Sequence, residues 1–231
     1  MNSRHVSKTV IKRLPVYLRI LDNLIRRDVE IVSSRELSLE SGFSAEQIRK
    51  DLTYFGAFGT RGTGYNTEFL RDKLLKIIGL DKKTKIIVVG AGHLGTALTR
   101  YNALKNPYVE IVAAFDRDPK VIGQKICNIE VLPFEQAPDI IKRHNIKVAI
   151  ITVPADSAQE VVDKLVENGV TAILNFAPAK LHAPEGVHIH NTDLTIELQS
   201  LIYYSTAEEE RLSRLKQVAR EEKTQKALKL D

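Results

Sequence analysis

A glycine motif between a strand-like run and a helical pattern constrains the fold more than any other feature of the sequence. The run KIIVV leads directly into Gly90-Ala91-Gly92-His93-Leu94-Gly95, and the pattern LGTALTRY follows. Gly90 permits a tight turn, Gly92 lets the backbone approach a pyrophosphate, and Gly95 lets a helix pack closely on a strand. The motif alone is a weak indication, but this context predicts the first β-α unit of a Rossmann domain.

The rest of the chain after Thr84 repeats the same alternation. Further strand-like runs read VEIVAAFD, KVAIITVP, TAILNFAP and VHIH, and helical patterns such as ADSAQEVVDKLVENG separate them. Strands that alternate with helices indicate a largely parallel, doubly wound sheet. We therefore predict an α/β fold of the Rossmann type, with residues 84–192 as a dinucleotide-binding domain.

An acidic residue at the end of the second run predicts which dinucleotide binds. Asp116 lies 21 residues beyond Gly95, where an acceptor for the adenosine ribose hydroxyls is expected. It favours NADH and NAD⁺ and repels the extra phosphate of NADP(H), although Arg117 offers that phosphate a partner. His93 is expected to position backbone at the helix start rather than to act in catalysis.

Two later strand ends should supply the remaining cofactor contacts. We predict a pocket lined by the loop residues that follow these strands: Thr152, Val153, Pro154, Asn175, Phe176, Ala177 and Pro178. Phe176 and Pro178 fit a nicotinamide pocket, but the same residues also serve to cap a core and to stop a strand. The sequence leaves both interpretations, nicotinamide pocket and structural role, open.

The first third of the chain has a different pattern. Pro15 suits the first turn of a helix over residues 16–28, and Ser33 with Glu36 forms a capping-box spacing before a short second helix that Gly42 closes. Ser44 starts a third helix through about Tyr54. The segment GAFGTRGTGYN then indicates a hairpin or wing. Residues 1–83 therefore predict a winged helix-turn-helix domain.

Charge supports a polyanionic partner for this domain. Residues 1–84 carry 16 Lys and Arg against 10 Asp and Glu, a net charge of +6, whereas residues 85–231 carry 18 against 19, or −1. We predict contacts to double-stranded DNA from the third helix and the wing, through Ser44, Ala45, Gln47, Arg49, Lys50, Arg61 and Tyr65. The alternative is an ordinary solvated helix and a glycine-rich hairpin.

Other features bound the function. No apolar run approaches the roughly 20 residues of a membrane span, and Cys127 has no second cysteine to pair with. We therefore expect a cytoplasmic protein that contacts no membrane and has no metal site or catalytic residue. The alternatives are an NAD-dependent oxidoreductase and a coenzyme A-binding module; isolated His182, His188 and His190 form no catalytic constellation, and Asp116 argues against coenzyme A.

The end of the chain predicts one more element. Asp193 fits the cap of a final helix whose Leu194, Leu198, Leu201 and Ile202 form an apolar stripe. Some other surface must cover that stripe. The charged residues after Ala207 predict a solvated helix or a partly disordered tail, and residues 193–231 form the third predicted segment.

Six segments together resemble the Rex family of bacterial redox-sensing repressors: RLPVYLRIL, RKDLTYFGAFGTRGTGYN, GAGHLGTAL, AIITVPADSAQ, ILNFAPAKL and DLTIELQSLIYY. They follow one collinear order from about Lys12 to Tyr204. The resemblance implies a transcriptional repressor, not an enzyme. It would act as a homodimer on a palindromic operator, repress fermentative or anaerobic genes when NADH is low relative to NAD⁺, and leave DNA when NADH binds. It also implies that the final helix is swapped between subunits.

The resemblance further implies a switch. Arg13 in KRLP and Asp193 in DLT would form a salt bridge between subunits, with Tyr101 in RYN joining them near the cofactor. Each residue also has a simpler interpretation: Arg13 as a DNA phosphate contact, Tyr101 as helix packing and Asp193 as a helix cap. Family members often have Val-Gly-Asn where this chain has Ala91-Gly92-His93, a departure that leaves the backbone cradle for the phosphates intact.

Overall fold

The computed structural model describes residues 6–59 and 62–228. The chain divides into two compact units, one formed by Met1–Thr84 with Pro107–Glu110 and the other by Lys85–Asn106 with Ile111–Asp231. The described part of the first unit contains α1 (Lys8–Ile25), β1 (Ile31–Val32), α2 (Ser34–Ser41), α3 (Ala45–Phe55), β2 (Tyr65–Asn66) and α4 (Thr67–Ile78).

Helix α1 begins earlier than the sequence pattern predicts. Ser7 caps it, because its hydroxyl accepts from the backbone N–H of Val10, and Pro15 therefore lies inside the helix instead of in its first turn. The interior proline removes one helical hydrogen bond. Buried Leu14 and Tyr17 on either side of it hold the helix on the core.

The caps of the next two helices are confirmed. The Ser33 hydroxyl and the Glu36 carboxylate form the reciprocal capping box of α2, and Gly42 ends this helix at a φ of 73°. At the start of α3 the Ser44 hydroxyl accepts from the backbone N–H of Gln47. Ser44 and Gln47 have the spacing of a second capping box, but the Gln47 side chain bonds to Asp51 instead of to the cap.

The segment between Phe55 and Asn66 was predicted to form a hairpin or a wing, and the hairpin alternative is wrong. Strand β2 pairs antiparallel with β1, which lies before α2, so the glycine-rich segment connects α3 to β2. Helix α4 follows at once, with the Asn66 side chain as its cap. Helix α4 was not predicted from the sequence. Its buried face, which includes Leu70 and Leu74, completes the core formed by α1, α2 and α3.

The second unit is built on a seven-stranded sheet in the order β5-β6-β4-β3-β7-β8-β9. Strands β4 and β6, β3 and β7, β7 and β8, and β8 and β9 run parallel, whereas β5 is antiparallel to β6. Its elements are β3 (Thr84–Val89), α5 (His93–Lys105), β4 (Val109–Asp116), β5 (Lys125–Ile126), β6 (Ile129–Pro133), a 3-10 turn (Phe134–Gln136), α6 (Ala137–His144), β7 (Val148–Ile151), α7 (Ala155–Glu167), β8 (Ala172–Asn175), β9 (His188–Asn191) and α8 (Leu194–Leu228).

This order puts a topological switch point between β3 and β7. The chain leaves β3 toward β4 on one side and returns to β7 on the other. The central strands are buried on both faces, which explains their continuous apolar runs. The predicted parallel, doubly wound sheet is confirmed. Ligands in such sheets bind at the carboxyl ends of the strands at the switch point.

Helix α8 follows the sheet and is capped as predicted. The Asp193 carboxylate accepts from the backbone N–H groups of Thr195 and Ile196. The large apolar side chains of its first turns are exposed in the single chain: Leu194, Ile196, Leu198, Leu201, Ile202, Tyr203 and Tyr204. The helix continues to Leu228, beyond Ala207.

Candidate functional site

The glycine motif forms a tight loop at the switch point. Gly90 has a φ of 97°, and a Cβ there would lie 2.8 Å from the Thr152 hydroxyl. A Cβ on Gly95 would overlap the Gly90 carbonyl oxygen and lie 2.6 Å from the same hydroxyl. That hydroxyl donates to the Gly90 carbonyl at 2.8 Å. Gly90 and Gly95 are therefore required, because the turn at Gly90, the start of α5 and the loop at Thr152 approach one another closely. A Cβ on Gly92 would meet no atom within 4 Å, so the backbone of Gly92 is accessible to a ligand.

Asp116 joins the end of β4 to this loop. One carboxylate oxygen accepts from the Ala91 N–H at 2.6 Å, and the other accepts from the N–H groups of Arg117 and Asp118 at 2.7 and 2.9 Å. A carboxylate has about four acceptor positions, so these bonds leave about one for a ribose hydroxyl. The half-buried side chain lies at the edge of the cavity described next.

A cavity of about 590 Å³ opens along the carboxyl ends of the strands. Eight of the predicted cofactor residues line it: Gly90, Gly92, Asp116, Thr152, Val153, Pro154, Phe176 and Pro178. Its size suits a small-molecule ligand or cofactor. The open loop glycine, the spare Asp116 acceptor and this cavity fit an adenosine diphosphate-containing ligand.

Six other predicted cofactor residues do not line the cavity: Ala91, His93, Leu94, Gly95, Asn175 and Ala177. Asn175 is fully buried, and its side chain bonds to both backbone groups of Ala177 and to Asn191. It therefore shapes the turn that presents Phe176. His93 and Leu94 are exposed at the start of α5, where their backbone N–H groups belong to the helix terminus.

The cavity lining contributed by the end of β6 and by α7 was not predicted from the sequence. Phe134 and Glu135 follow β6, while Ser157, Glu160 and Val161 lie on α7. The signal was available for the first group, because EVLP reads as another strand whose carboxyl end lies at the same sheet edge. Helix α7 was predicted directly after Pro154, but the sequence pattern did not indicate that its Ser157, Glu160 and Val161 would line the cavity.

In the first unit, α3 carries the predicted DNA-binding residues at its amino end. Ser44 is exposed at the cap, Ala45 begins the helix, and Lys50 is exposed. The Arg49 guanidinium is also exposed and donates to the Ser34 hydroxyl at 2.8 Å. Polar and basic groups thus lie along the exposed side of a short helix, as a major-groove recognition helix requires.

Gln47 belongs to a network beneath that surface. Its amide nitrogen donates to Asp51 at 2.7 Å, and Arg13 forms two bonds to the same carboxylate at 2.6 and 2.7 Å. The Tyr17 hydroxyl donates to Asp51 at 2.8 Å. Burial opposes ionisation of Asp51, but the bonds from Arg13, Tyr17 and Gln47 outweigh it and hold its pKa below the ordinary value.

Tyr65 lies against the glycine-rich segment, because a Cβ on Gly59 would be 2.7 Å from its ring. Burial raises the pKa of its phenol, so the ring stays neutral. A cavity of about 680 Å³ lies beside it. Ser33, Ser34, Arg49, Thr53, Gly59, Gly62, Thr63, Gly64 and Tyr65 line that cavity. Arg61, a predicted contact, lies outside the described residues.

Each of the three predicted switch residues is described within its own unit. Arg13 is bonded to Asp51, Asp193 caps α8, and Tyr101 on α5 is exposed by 63%. A bridge between subunits involves a second copy, so its formation remains a prediction.

Within the part of the chain that the structure describes, no helix has the length and apolar character needed to cross a membrane. The same residues contain no group of three or more His, Cys, Asp or Glu side chains able to hold a metal ion.

Two family profiles match the chain, and they cover different parts of it. A family profile described as "CoA binding domain" matches residues 81–179, and one described as "Putative DNA-binding protein N-terminus" matches residues 5–53. The first match covers the glycine loop and most of the strands. The second covers α1, α2 and most of α3.

Curated relatives match nearly the whole chain. A redox-sensing transcriptional repressor Rex from Natranaerobius thermophilus is 62% identical over 200 residues, which cover 87% of this chain and 91% of the relative. The chain belongs to the Rex family. The Rex of Clostridioides difficile is 43% identical over 88% of this chain and 97% of its own length. These names describe a repressor and not an enzyme.

Solved structures confirm the fold of this Rex-family chain. The structure of RSP, described as a Rex-family repressor, is 41% identical, covers 90% of this chain and 98% of its own, and gives a TM-score of 0.79. RSP with β-NAD⁺ and operator DNA is 43% identical over 91% and 97% of the two chains, with a TM-score of 0.82. RSP has also been solved with β-NADH. The predicted winged helix-turn-helix and Rossmann fold class is therefore confirmed.

Proposed function

We propose that this chain is an NADH/NAD⁺-sensing transcriptional repressor that binds a palindromic operator as a homodimer and leaves it when NADH binds. In this proposal residues 1–83 bind DNA, residues 84–192 bind the cofactor, and residues 193–231 form the dimer-swapped helix and charged tail. The observation that carries it is the glycine loop held by Asp116 in a chain that is collinear with Rex proteins. Because the proposed protein acts on operator DNA, we also propose a cytoplasmic location.

The cavity supports discrimination between the two cofactor forms. They share adenosine and pyrophosphate and differ at the ring, which is cationic in NAD⁺ and neutral in NADH. Val153, Phe176 and Pro178 give part of the cavity an apolar lining. Desolvating a cation against this apolar part of the lining is costly and favours NADH, whereas the carboxylates of Glu135 and Glu160, which also line the cavity, would favour a cation near them.

The exposed stripe on α8 supports the homodimer. Leu198, Leu201 and Ile202 are each more than half exposed in the single chain, and a continuous apolar face of this kind marks an interaction site. A swapped helix would bury the stripe against a second copy. It would also bring the partner's Asp193 to the predicted switch with Arg13 and Tyr101.

The direct test is fluorescence anisotropy of the full-length chain on a labelled palindrome from its own promoter region, at one stated salt concentration. NADH should release the DNA, and equal concentrations of NAD⁺ should have little effect. Binding that neither cofactor alters would refute redox sensing. Failure to prefer the palindrome over random DNA would refute the repressor function.

A pair of variants separates the two units. Arg49→Ala should weaken operator binding and leave NADH affinity unchanged, because its guanidinium lies on the exposed side of α3. Asp116→Ala should weaken NADH binding and leave cofactor-free operator binding unchanged. Equal loss of DNA binding in both variants would contradict the division of roles.

One alternative ligand rests on a specific observation, the family profile described as a coenzyme A-binding domain. Coenzyme A also contains an adenosine diphosphate group, but its ribose carries a phosphate that Asp116 would repel. Competition decides between them: coenzyme A should not displace NADH from the chain, and displacement at similar concentration would favour the alternative.

A further inference from the structure

Asp51 is the only buried carboxylate among the described residues, with 1% of its surface exposed. A charge in such a position is costly unless each acceptor position has a donor. Here four donors meet it: Arg13 Nε and Nη2, the Tyr17 hydroxyl, and Gln47 Nε2. The carboxylate is fully satisfied, and one of its donors is a predicted DNA contact.

This network fixes the orientation of the Gln47 amide. An ionised carboxylate only accepts hydrogen bonds, so the amide must turn Nε2 toward Asp51 Oδ1. The carbonyl oxygen Oε1 then faces away from Asp51. Gln47 lies in the first turn of α3 and is half-buried, at the end of the helix that meets base edges in helix-turn-helix proteins.

Without Asp51, either end of the amide would be free to face the DNA. The two ends read different bases. In the major groove, adenine N6 and cytosine N4 are donors, whereas guanine O6 and thymine O4 are acceptors. A fixed Oε1 selects the bases that carry an amino group, and an amide that reverses freely selects neither class.

We propose that Asp51 is a positioning residue for base readout: it holds Gln47 so that Oε1 accepts from the amino group of an adenine or cytosine in each operator half-site. Arg13 supports this role by supplying the positive charge that keeps the buried carboxylate ionised. The inference rests on the proposed function, because it requires that α3 enter the major groove of an operator.

The test measures base preference rather than affinity alone. The full-length, cofactor-free chain is titrated at fixed salt against the operator, against duplexes with each base pair under α3 replaced symmetrically in both half-sites, and against random DNA. The unaltered chain should prefer an amino-bearing base at one position by about tenfold, near the lower end of the range for a bidentate contact, because Oε1 supplies a single acceptor. Asp51→Asn and Gln47→Ala should each lose that preference and change random-DNA affinity less than twofold.

Matched controls separate positioning from general support. Tyr17→Phe removes a donor to Oδ2, while Gln47 bonds to Oδ1, so it should keep the preference. The double variant of Asp51→Asn with Gln47→Ala should match Gln47→Ala alone. If Asp51→Asn retains the tenfold preference and weakens all duplexes equally, Asp51 is only structural. An unaltered chain that does not prefer its operator to random DNA refutes the proposed function and this inference together.

A second measurement does not depend on the stability of the Asp51→Asn variant. In the unaltered chain, the side-chain amide signal of Gln47, assigned by its loss in Gln47→Ala, is followed by nuclear magnetic resonance. One Nε2 proton should exchange slowly with solvent, both free and on the operator. Rapid exchange of both protons on the operator would overturn the proposal.

Discussion

Replacing Asp116 with Asn removes the negative charge and one hydrogen-bond acceptor of this side chain without changing its size. Three backbone N–H groups converge on the two carboxylate oxygens. An amide has one oxygen, so when it faces Arg117 and Asp118 its NH₂ must face the Ala91 N–H. The glycine loop loses its bond to β4, and the ribose loses a charged acceptor.

The magnitude follows from one charged hydrogen bond to the ribose, worth about 1.5–3 kcal/mol. At about 1.4 kcal/mol for each factor of ten, NADH should bind about 10- to 100-fold more weakly to Asp116→Asn. Removal of the negative charge beside Arg117 should also bring the affinities for NADH and NADPH closer together. Because Asp116 lies outside the DNA-binding unit, cofactor-free operator binding should stay within twofold.

The assay is titration calorimetry of the full-length chain with NADH and NADPH, with anisotropy on the operator in parallel. NADH affinity within twofold of the unaltered chain would refute the ribose role of Asp116. A parallel loss of operator affinity would show that the loop supports the whole protein rather than the cofactor.

Three further predictions concern the loop and the buried charge. Gly95→Ala should abolish NADH binding, because its Cβ overlaps the Gly90 carbonyl oxygen. The Cβ of Gly92→Ala meets no atom within 4 Å, so this variant should keep the melting temperature of the unaltered chain and weaken only NADH binding in the same titration. Asp51→Ala should lower the free energy of unfolding, measured in urea at fixed protein concentration, by about 3–5 kcal/mol, because it leaves the nearly buried Arg13 without its carboxylate partner. As a control, Glu40→Ala breaks an exposed ion pair and should lower the free energy of unfolding by less than about 1 kcal/mol. Because the folded pKa of Asp51 is lowered, its stabilisation should be complete above about pH 4 and be lost as pH falls through the folded pKa; a urea midpoint with equal acid dependence in Asp51→Ala would contradict this.

Local patterns predicted the second unit well because its central strands are buried on both faces. The runs around Ile87 and Ala149 read as strands without knowledge of their neighbours, and the glycine motif marks the switch point between them. Asp116 was identified by spacing alone. Phe134 was missed although EVLP before it reads as a strand, because its place in the cavity depends on sheet order rather than on local sequence.

The first unit was harder to predict because its boundaries depend on tertiary contacts. Pro15 reads as a helix start, yet packing of Leu14 and Tyr17 continues α1 through it. The glycine-rich segment reads as a hairpin, yet β2 finds its partner in β1, more than thirty residues earlier. The Gln47 side chain was expected to be free for DNA, and no spacing rule indicated that Asp51, one turn later on α3, holds its amide.

The Arg13 guanidinium has enough donors for both roles assigned to it, which are the support of Asp51 and the switch bridge to Asp193. The group has five N–H donors, and Nε with one proton of Nη2 engages Asp51. Three N–H donors, two on Nη1 and one on Nη2, remain for a second carboxylate, the one that the switch proposal assigns to the partner's Asp193. A second carboxylate there would compete with Asp51 for the same positive charge, and any weakening of the first pair would loosen the hold on Gln47. Because coupling is reciprocal, a dimer arrangement that forms the second bridge and an operator that requires the fixed amide would then each disfavour the other.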